Sequence, residues 1–331
     1  MWLGEIYMRG NTFGKMLSIT SFGESHGKGL GAVVDGVPSN LNFSLDDLQA
    51  ELNRRAPGKI KGTTTRKEAD EARIISGIYE EKTLGTPIMI MIENTNQRSQ
   101  DYDQLKTETR LGHADQTTID KFGIRDHRGG GRSSGRETVA RVIGGYFAKL
   151  ILPNTSVVAH TSKMGKLNSI EGEEFSPPYC LPGVDDSMVI SYLNELKKNG
   201  DSCGGVVDVI VKNCPKGLGE PCFDKLKADL GKAILSIGAC VGFSYGEGEK
   251  LALMSGKEAA SNRSNFGGIE GGISNGDEIK LTVFVKPTST VGEKAKRGRH
   301  DPCIVPRVIP VIESMVYLTL ADHYLRQKAY Y

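Results

Sequence analysis

The sequence predicts a globular protein that contains both α-helices and β-strands. Its 331 residues suffice for one large domain or two ordinary ones, and its 38% apolar and 25% charged residues are typical of folded chains. Long segments show the apolar spacing of helices, and short apolar runs show the pattern of buried strands. We expect neither a secretory signal nor a membrane partner, because no apolar run approaches the roughly 20 residues that span a membrane.

Three helices are predicted in chain order. Residues 44–55 begin with a serine that can cap a helix, and they carry leucines on one face. Residues 134–152 have the clearest buried face, and Ser134 and Glu137 have the spacing of a capping box. Residues 308–325 are apolar on most sides, which predicts a central position in the core.

Two strands are also predicted. Residues 88–92 form a short apolar run, and residues 279–285 alternate between apolar and polar, as in a strand with one buried face. Segments 31–52 and 205–230 each read as a strand, a proline-containing loop and a helix. This similarity suggests an internal repeat, with chance as the alternative.

The charge distribution suggests an anion site. The net charge is only +2 at pH 7, so bulk charge predicts no nucleic-acid partner. Basic residues nevertheless cluster in three windows, at 54–67, 125–141 and 286–300. Such clusters on a nearly neutral chain fit a compact anion site assembled by folding, and three solvated loops are the alternative.

The cysteine pattern indicates free thiols. The six cysteines show neither C-x-x-C spacing nor a Cys/His pattern typical of zinc sites, so we predict no metal. We expect a reduced, cytoplasmic protein. A second methionine, Met8, suggests an N-terminal extension over residues 1–8, followed by a single domain over residues 9–331.

A glycine-rich basic loop, residues 128–134, leads directly into the second predicted helix. Its sequence is Arg-Gly-Gly-Gly-Arg-Ser-Ser. Glycines let backbone N–H groups approach a ligand, the helix start supplies unpaired N–H groups, and Arg128, Arg132 and Arg136 add bidentate donors. The pattern favours a phosphate-binding loop, although it lacks the Lys-Ser/Thr pair of a Walker A loop. A flexible turn and an RNA-binding Arg-Gly segment are the alternatives.

Two histidines are candidates for proton transfer. His26 lies in Phe-Gly-Glu-Ser-His-Gly, which is not the nucleophile elbow of a hydrolase, so His26 suits proton transfer better than Ser25 suits attack. His113 follows a glycine and precedes Asp115 by two residues, so this carboxylate could orient the imidazole. For His26 alone, a surface position is the simpler interpretation, and for His113 a turn with an incidental histidine is an equal alternative.

Asp301 is a candidate base. It lies in Arg-His-Asp-Pro-Cys, and Arg299, two residues earlier, can lie on the same side of an extended chain. Neighbouring cations favour the ionised carboxylate, which predicts an available base at neutral pH.

Taken together, these segments resemble the motifs of the chorismate synthase family, in the family's order and over about residues 9–327. The matching segments lie at 10–14, 22–27, 35–38, 54–58, 94–99, 112–115, 125–134 and 298–303. The sequence departs from the family pattern at Ala56, Leu111, Gly135 and Phe266. The resemblance implies an α+β fold, with helices sandwiched between two antiparallel β-sheets, and a homotetramer.

The resemblance also implies an activity. It is an anti-1,4-elimination of phosphate from 5-O-(1-carboxyvinyl)-3-phosphoshikimate, which gives chorismate and requires reduced FMN. His26 resembles the acid at the departing phosphate, His113 the residue that protonates the reduced flavin, and Asp301 the carboxylate that acts with the flavin in C6 deprotonation.

The family's binding positions can be matched in the same way. The positions that resemble its FMN contacts are Arg132, Ser133, Ser134, Gly238, Ala239, Gly271, Lys286, Pro287, Thr288, Ser289, Thr290 and Arg299. Arg55 and Lys61 resemble positions assigned to NADPH or substrate.

Two alternatives of different kinds stay open. A bifunctional form would also reduce FMN with NADPH, although no Rossmann fingerprint follows a predicted strand; a monofunctional form would need an external flavin reductase. A non-catalytic protein that binds phosphate or RNA would show binding without turnover.

Overall fold

A computed structural model describes residues 10–64, 68–94, 114–297 and 301–330 of the chain. The first sheet contains β1 (Thr12–Phe13), β2 (Ser18–Gly23), β3 (Gly29–Asp35), β4 (Arg73–Ser76) and β7 (Ile88–Glu93). The second contains β8 (Ser156–Met164), β9 (Leu167–Asn168), β10 (Gly205–Lys212), β11 (Cys240–Tyr245) and β14 (Ile279–Val285). Two small hairpins are β5 (Ile78–Tyr79) with β6 (Lys82–Thr83), and β12 (Ile269–Glu270) with β13 (Ile273–Ser274). The helices are α1 (Leu45–Arg55), α2 (Asp115–Phe122), α3 (Thr138–Ile151), α4 (Asp186–Asn199), α5 (Leu226–Leu235), α6 (Glu249–Leu253), α7 (Gly256–Ser261), α8 (Glu293–Arg297) and α9 (Val305–Gln327).

Both five-stranded sheets are antiparallel. The strand order is β1-β2-β3-β7-β4 in the first and β11-β14-β10-β8-β9 in the second. Burial alternates along β14, as in a strand with one face toward the core. Its buried residues are Ile279, Leu281, Val283 and Val285, while Phe284 is exposed. The predicted strands at 88–92 and 279–285 are confirmed as β7 and β14.

Helices α3 and α9 lie between the two sheets. α3 packs against β2 and β3 of the first sheet, α9 packs against β8 and β10 of the second, and the two helices pack against each other. α1 extends the layer beside α3, and α5 extends the layer beside α9. The α+β sandwich that the resemblance implies is therefore confirmed. No helix among the described residues is both long enough and apolar enough to cross a membrane.

α9 has the central position that its sequence predicts. It is buried from Val305 to His323 apart from Arg307, and it begins three residues earlier than the predicted start. Close contact with α3 depends on small residues, since a Cβ at Gly145 would overlap Ser314 of α9.

The predicted N-terminal cap of α1 is confirmed. Ser44 is the capping residue, and its hydroxyl accepts a hydrogen bond from the backbone N–H of Asp47 at 3.1 Å. α1 buries three side chains, those of Leu48, Leu52 and Arg55. A fully buried arginine at the end of a helix needs an acidic partner, and this partner lies at the site described below.

The predicted start of the second helix is wrong in detail. A 3₁₀ turn over Gly135–Glu137 precedes α3. The Ser134 hydroxyl accepts a hydrogen bond from the backbone N–H of Arg136, while the Glu137 carboxylate pairs with Arg141 at 3.1 Å. The Ser134–Glu137 capping box therefore does not form, because the tighter turn changes which backbone N–H faces Ser134 and the carboxylate has a cationic partner.

The two segments that suggested a repeat do fold alike locally. β3 precedes α1, and β10 precedes α5. Each of these strands is the central strand of its sheet. An internal repeat stays a prediction, because a strand followed by a helix is a common unit.

Side chains of α9 cover one edge of β8. Glu313 Oε1 accepts a hydrogen bond from the backbone N–H of Ala159 at 2.9 Å, and the Tyr317 hydroxyl accepts one from Val157 at 3.1 Å. Glu313 and Tyr317 are one helical turn apart, and Val157 and Ala159 are alternate strand residues, so the two periodicities match. Burial raises the pKa of Glu313, and its ion pair with Arg54 opposes this rise.

Candidate active site

A cavity of about 1030 Å³ opens between α1, α3 and α9. Loops that follow β14 and α5 complete its wall, together with the segment before α3 and Asp301 before α9. The cavity therefore lies where the helical layers meet the ends of both sheets. It exceeds the roughly 300–1,000 Å³ of a typical small-molecule pocket.

The described wall of this cavity carries more cations than acids. Its cationic residues are Arg55, Arg132, Arg136, Arg141, Lys232, Lys286 and Arg307. Its acidic residues are Glu68, Glu137 and Asp301. Seven cations against three acids among the described wall residues favour ligands that carry several negative charges.

Asp70 is the centre of a buried ion cluster behind this wall. Its carboxylate pairs with Arg55 at 2.5 Å and with Arg136, and Arg136 also pairs with Glu68 at 2.6 Å. Burial alone raises the pKa of Asp70, but the two guanidinium groups outweigh burial and hold this pKa below its ordinary value. Burial lowers the pKa of Arg55, and Asp70 only partly offsets that effect. The cluster holds two guanidinium groups close together at the cavity.

The arginines of the glycine-rich loop contribute in different ways. Arg132 lines the cavity and donates hydrogen bonds to the carbonyl oxygens of Gly23 at 2.8 Å and Ser21 at 3.0 Å, so it ties the loop to β2. Arg128 is exposed and pairs with Asp126 at 2.7 Å. The expectation that Arg128 helps to form the anion site is therefore not met in the described wall.

Asp301 lies at the wall and is 8% exposed. Its Oδ2 is 2.9 Å from Nη1 of Arg307, and its Oδ1 accepts a weaker bond from the backbone N–H of Cys303 at 3.4 Å. Burial raises the pKa of Asp301, although Arg307 opposes this rise. The expectation that neighbouring cations dominate is therefore wrong, because removal from water has the larger effect.

The predicted histidines have different outcomes. His26 packs directly against the glycine-rich loop, since a Cβ at Gly129 would overlap the imidazole ring. Nδ1 of His26 lies 3.0 Å from the Ser25 hydroxyl oxygen. His26 is thus beside the loop but outside the described wall. His113 and the predicted cofactor contact Arg299 lie outside the described residues.

Most residues predicted to bind the cofactor meet at the cavity, together with Arg55, which was predicted to bind NADPH or substrate. The wall includes Arg55, Arg132, Ser133, Ser134, Gly238, Ala239, Lys286, Pro287, Thr288 and Ser289. The backbone N–H of Lys286 donates to the carbonyl of Ala239 at 2.9 Å, and the Thr288 hydroxyl donates to the carbonyl of Asp301 at 2.8 Å. These bonds join three segments that are distant in sequence.

Three further predicted residues, besides His26 and Arg128, do not belong to the described wall. Gly271 lies in the turn of the β12–β13 hairpin, where its carbonyl accepts a hydrogen bond from Lys225 at 3.2 Å. Lys61 is exposed, and its carbonyl accepts a hydrogen bond from the Tyr179 hydroxyl at 2.7 Å. Thr290 follows the wall segment but is not part of it.

Sequence reasoning missed Asp70 and Arg307. Asp70 lies in a charged stretch in which it cannot be told from solvated acids. Arg307 gave a usable signal, because Arg307 and Glu313 are the two charged residues in the first eleven positions of α9. A charge within a buried helix requires a specific partner, which Asp301 supplies for Arg307.

The sandwich fold and the cavity define an α+β protein whose described cavity wall is chemically suited to a small polyanionic molecule. Residues 17–325 match the family model described as chorismate synthase. The chain is 44% identical to the chorismate synthase of Rippkaea orientalis, over 96% of this chain and 98% of that protein. It is 46% identical to the chorismate synthase of Christiangramia forsetii, over 97% of this chain and 99% of that protein. A crystal structure of chorismate synthase matches this structure with a TM-score of 0.76 and 29% sequence identity. The match covers 95% of this chain and 93% of the chain in that crystal structure.

The chain therefore belongs to the chorismate synthase family. It is a lyase that eliminates phosphate from 5-O-(1-carboxyvinyl)-3-phosphoshikimate to give chorismate, the last common step toward the aromatic amino acids.

Proposed function

We propose that the cavity binds the substrate and reduced FMN side by side. The surplus of cations carries this proposal. The substrate bears a phosphate and two carboxylates, and FMN adds another phosphate, so together they need several cationic partners. A volume of about 1030 Å³ supports two ligands of this size.

The proposed division of the wall follows its chemistry. Residues 132–134, 238–239 and 286–289 bind the cofactor, because they combine the Arg132 guanidinium, several hydroxyls and the Lys286 ammonium. Arg55 and Arg136 bind the anionic groups of the substrate, since Asp70 fixes both guanidinium groups at the cavity. Arg299 and His113 keep the roles that the family resemblance implies.

Two residues move protons in the proposed elimination. Asp301 accepts the proton from C6, the C6–H electron pair forms a double bond between C6 and C1, the C1–C2 double bond shifts to C2–C3, and the C3–O bond breaks. His26 donates a proton to the departing phosphate. Reduced FMN, when bound, supplies electron density to the reacting substrate. Nothing is oxidised overall, so the electron pair that leaves with phosphate balances the pair released from the C6–H bond.

An anaerobic assay of phosphate release from the enolpyruvyl substrate tests this proposal. We expect phosphate and chorismate in equal amounts when chemically reduced FMN is present. The matched control contains oxidised FMN, and here we expect neither product. Tight FMN binding without any phosphate release would instead identify a non-catalytic phosphate-binding protein.

We do not propose that this protein reduces FMN with NADPH. The names of the relatives give chorismate synthase alone, and Lys61, one of the two residues tied to NADPH, lies outside the described wall. We therefore infer that an external flavin reductase supplies reduced FMN. Anaerobic oxidation of NADPH by the purified protein with added FMN would contradict this inference.

A homotetramer in the cytoplasm completes the proposal. Exposed apolar residues on the second sheet, Val158, Val241 and Phe284, support an interface between subunits. The six free cysteines support a reducing compartment. Light scattering coupled to size exclusion tests the expected mass of four chains.

A further inference from the structure

We propose that Arg307 is a positioning residue, which holds the buried Asp301 carboxylate as an anion at the cavity wall. This inference rests on the proposed function, in which Asp301 accepts a proton from the substrate. Arg307 itself receives no proton and forms no bond in the reaction.

The geometry fixes the guanidinium group of Arg307 from two sides. Nη1 lies 2.9 Å from Oδ2 of Asp301, and Nε donates a hydrogen bond to the carbonyl of Arg55 at 3.2 Å. Arg55 is the last residue of α1, and the C-terminal end of a helix carries a partial negative charge that favours a cation. The side chain is 16% exposed, so water screens this ion pair only weakly.

A buried carboxylate without a cation tends to take up a proton, and a protonated Asp301 cannot accept the C6 proton. Burial already raises the pKa of Asp301, and Arg307 is the largest influence in the opposite direction. Among the described residues, Arg307 is the cation in a direct ion pair with Asp301. The ion pair therefore keeps available the form of Asp301 that the reaction requires.

Other ionisable groups near Asp301 act less directly. Lys197 of α4 also lowers the pKa of Asp301, but its ammonium donates a hydrogen bond to the carbonyl of Thr63. The thiols of Cys203 and Cys303 are close to each other: their hydrogen bond is the main cause that lowers the pKa of Cys203, and the same bond together with burial raises the pKa of Cys303. Neither thiol supplies a cation that could replace Arg307.

The decisive experiment is the pH profile of kcat/KM for Arg307→Gln. Without the cation the pKa of Asp301 rises, so the acid limb of the profile should move to higher pH by about one to three units. Turnover should recover toward the wild-type value above that limb. Arg307→Lys retains the charge but not the two-sided geometry, so we expect a shift in the same direction of less than about one unit.

Arg326→Gln is the matched control. Arg326 also lies on α9, is 12% exposed and pairs with Asp224 at 3.0 Å, but it is outside the described cavity wall. The control should lower Tm without moving the acid limb. If Arg307→Gln likewise lowers Tm and leaves the limb in place, Arg307 is only structural and the proposal is overturned. A large rise in KM at every pH with an unmoved limb would make Arg307 a substrate ligand, which also overturns it.

Infrared difference spectroscopy gives a readout that does not need turnover. The protonated-carboxyl band that disappears in Asp301→Asn reports the titration of Asp301 in the substrate-free protein. We expect this band to titrate at higher pH in Arg307→Gln than in wild type. If the Gln variant does not fold, Arg307→Lys serves instead, and we expect its band to titrate at a pH between those two cases. An unmoved band overturns the role of Arg307. A moved band in a protein that releases no phosphate would instead show that the proposed function fails while the ion-pair effect stands.

Discussion

The two cavities along α1, α3 and α9 differ in how their charges are balanced. The larger cavity has a surplus of cations among its described wall residues. The smaller cavity, of about 310 Å³, has two cations, Arg54 and Lys149, and two acids, Glu51 and Glu313. Arg54 and Arg55 are adjacent in sequence, yet Arg54 faces the smaller cavity and Arg55 the larger one.

The charges of the smaller cavity are committed to the fold. Arg54 pairs with Glu51 at 2.8 Å and with Glu313 at 2.7 Å, and Lys149 pairs with Glu51 at 3.3 Å. Glu313 in turn satisfies the edge of β8. An arginine in the wall of a cavity therefore does not by itself identify a ligand site. The informative feature is a surplus of cations over acids, which remains in the larger cavity even when Asp70 is counted with the acids of its described wall.

The largest expected effect distinguishes two buried carboxylates, that of Asp301, which precedes α9, and that of Glu313, which lies within α9. Asp301→Asn should lower turnover by about 10²–10⁴-fold, because it removes the proposed base while keeping its size. FMN binding should survive. Glu313→Gln, in the smaller cavity, should lower Tm but leave kcat within a few fold of wild type. Steady-state kinetics and flavin fluorescence measure these outcomes.

A substrate deuterated at the departing C6 position sharpens this prediction. If proton removal has become limiting in Asp301→Asn, the isotope effect should be larger than in wild type. Normal turnover with an unchanged isotope effect would show that this aspartate only holds its loop in position.

The next effect concerns two glycines in and beside the glycine-rich loop. Gly129→Ala forces the imidazole of His26 to move, and a displacement of about 1 Å in a catalytic group can reduce kcat by about 10²-fold. Gly135→Ala is the matched control, because a Cβ there meets no atom within 4 Å. Equal kcat values in the two variants would remove His26 from the mechanism.

Two arginines of the same loop should differ in cofactor affinity. Arg132→Ala should raise the Kd of FMN by one to two decades, since a hydrogen bond to a charged group contributes roughly 1.5–3 kcal/mol. Arg128→Ala should leave Kd nearly unchanged, because Arg128 is exposed and bound to Asp126. Riboflavin, which lacks the phosphate, should bind poorly to wild type; equal binding of riboflavin and FMN would contradict a phosphate site.

The smallest effect belongs to the exposed part of the smaller cavity. Lys149 is more than half exposed and pairs with Glu51, so Lys149→Ala should change the free energy of unfolding by about 0–1 kcal/mol. Neither kcat nor the Kd of FMN should change. Urea unfolding measures the first quantity. A loss of FMN affinity in this variant would mean that the two cavities are coupled.

The sequence predicted local elements well because their signals are local. The cap of α1, the alternation of β14 and the apolar surface of α9 each depend on residues a few positions apart. The start of α3 was predicted less well, since Arg141 competes for the Glu137 carboxylate. The sandwich itself followed only from the family resemblance, because strand order depends on contacts between distant segments.

The same distinction applies to the site. The motifs indicated several wall segments, but the hydrogen bond between Lys286 and Ala239 joins residues that no local pattern connects. The partners of Arg55 and Asp301 could not be predicted, because Asp70 and Arg307 lie in other elements. The direction of the Asp301 pKa was missed for a related reason, since burial cannot be read from neighbours in sequence.

The covered edge of β8 bears on how this protein avoids polymerisation. From Val157 to Thr161, alternate backbone N–H groups of this strand already donate to Tyr317, Glu313 and the carbonyl of Cys180. These donors are not available to a strand from another molecule, so growth of a continuous intermolecular sheet at this edge is blocked. Replacing Glu313 with leucine would expose one donor of this row, and we expect fibril-like aggregates to form on heating, detectable by thioflavin fluorescence. The buried Glu313 carboxylate of a central helix thus occupies a donor of a strand edge that would otherwise be open to another chain.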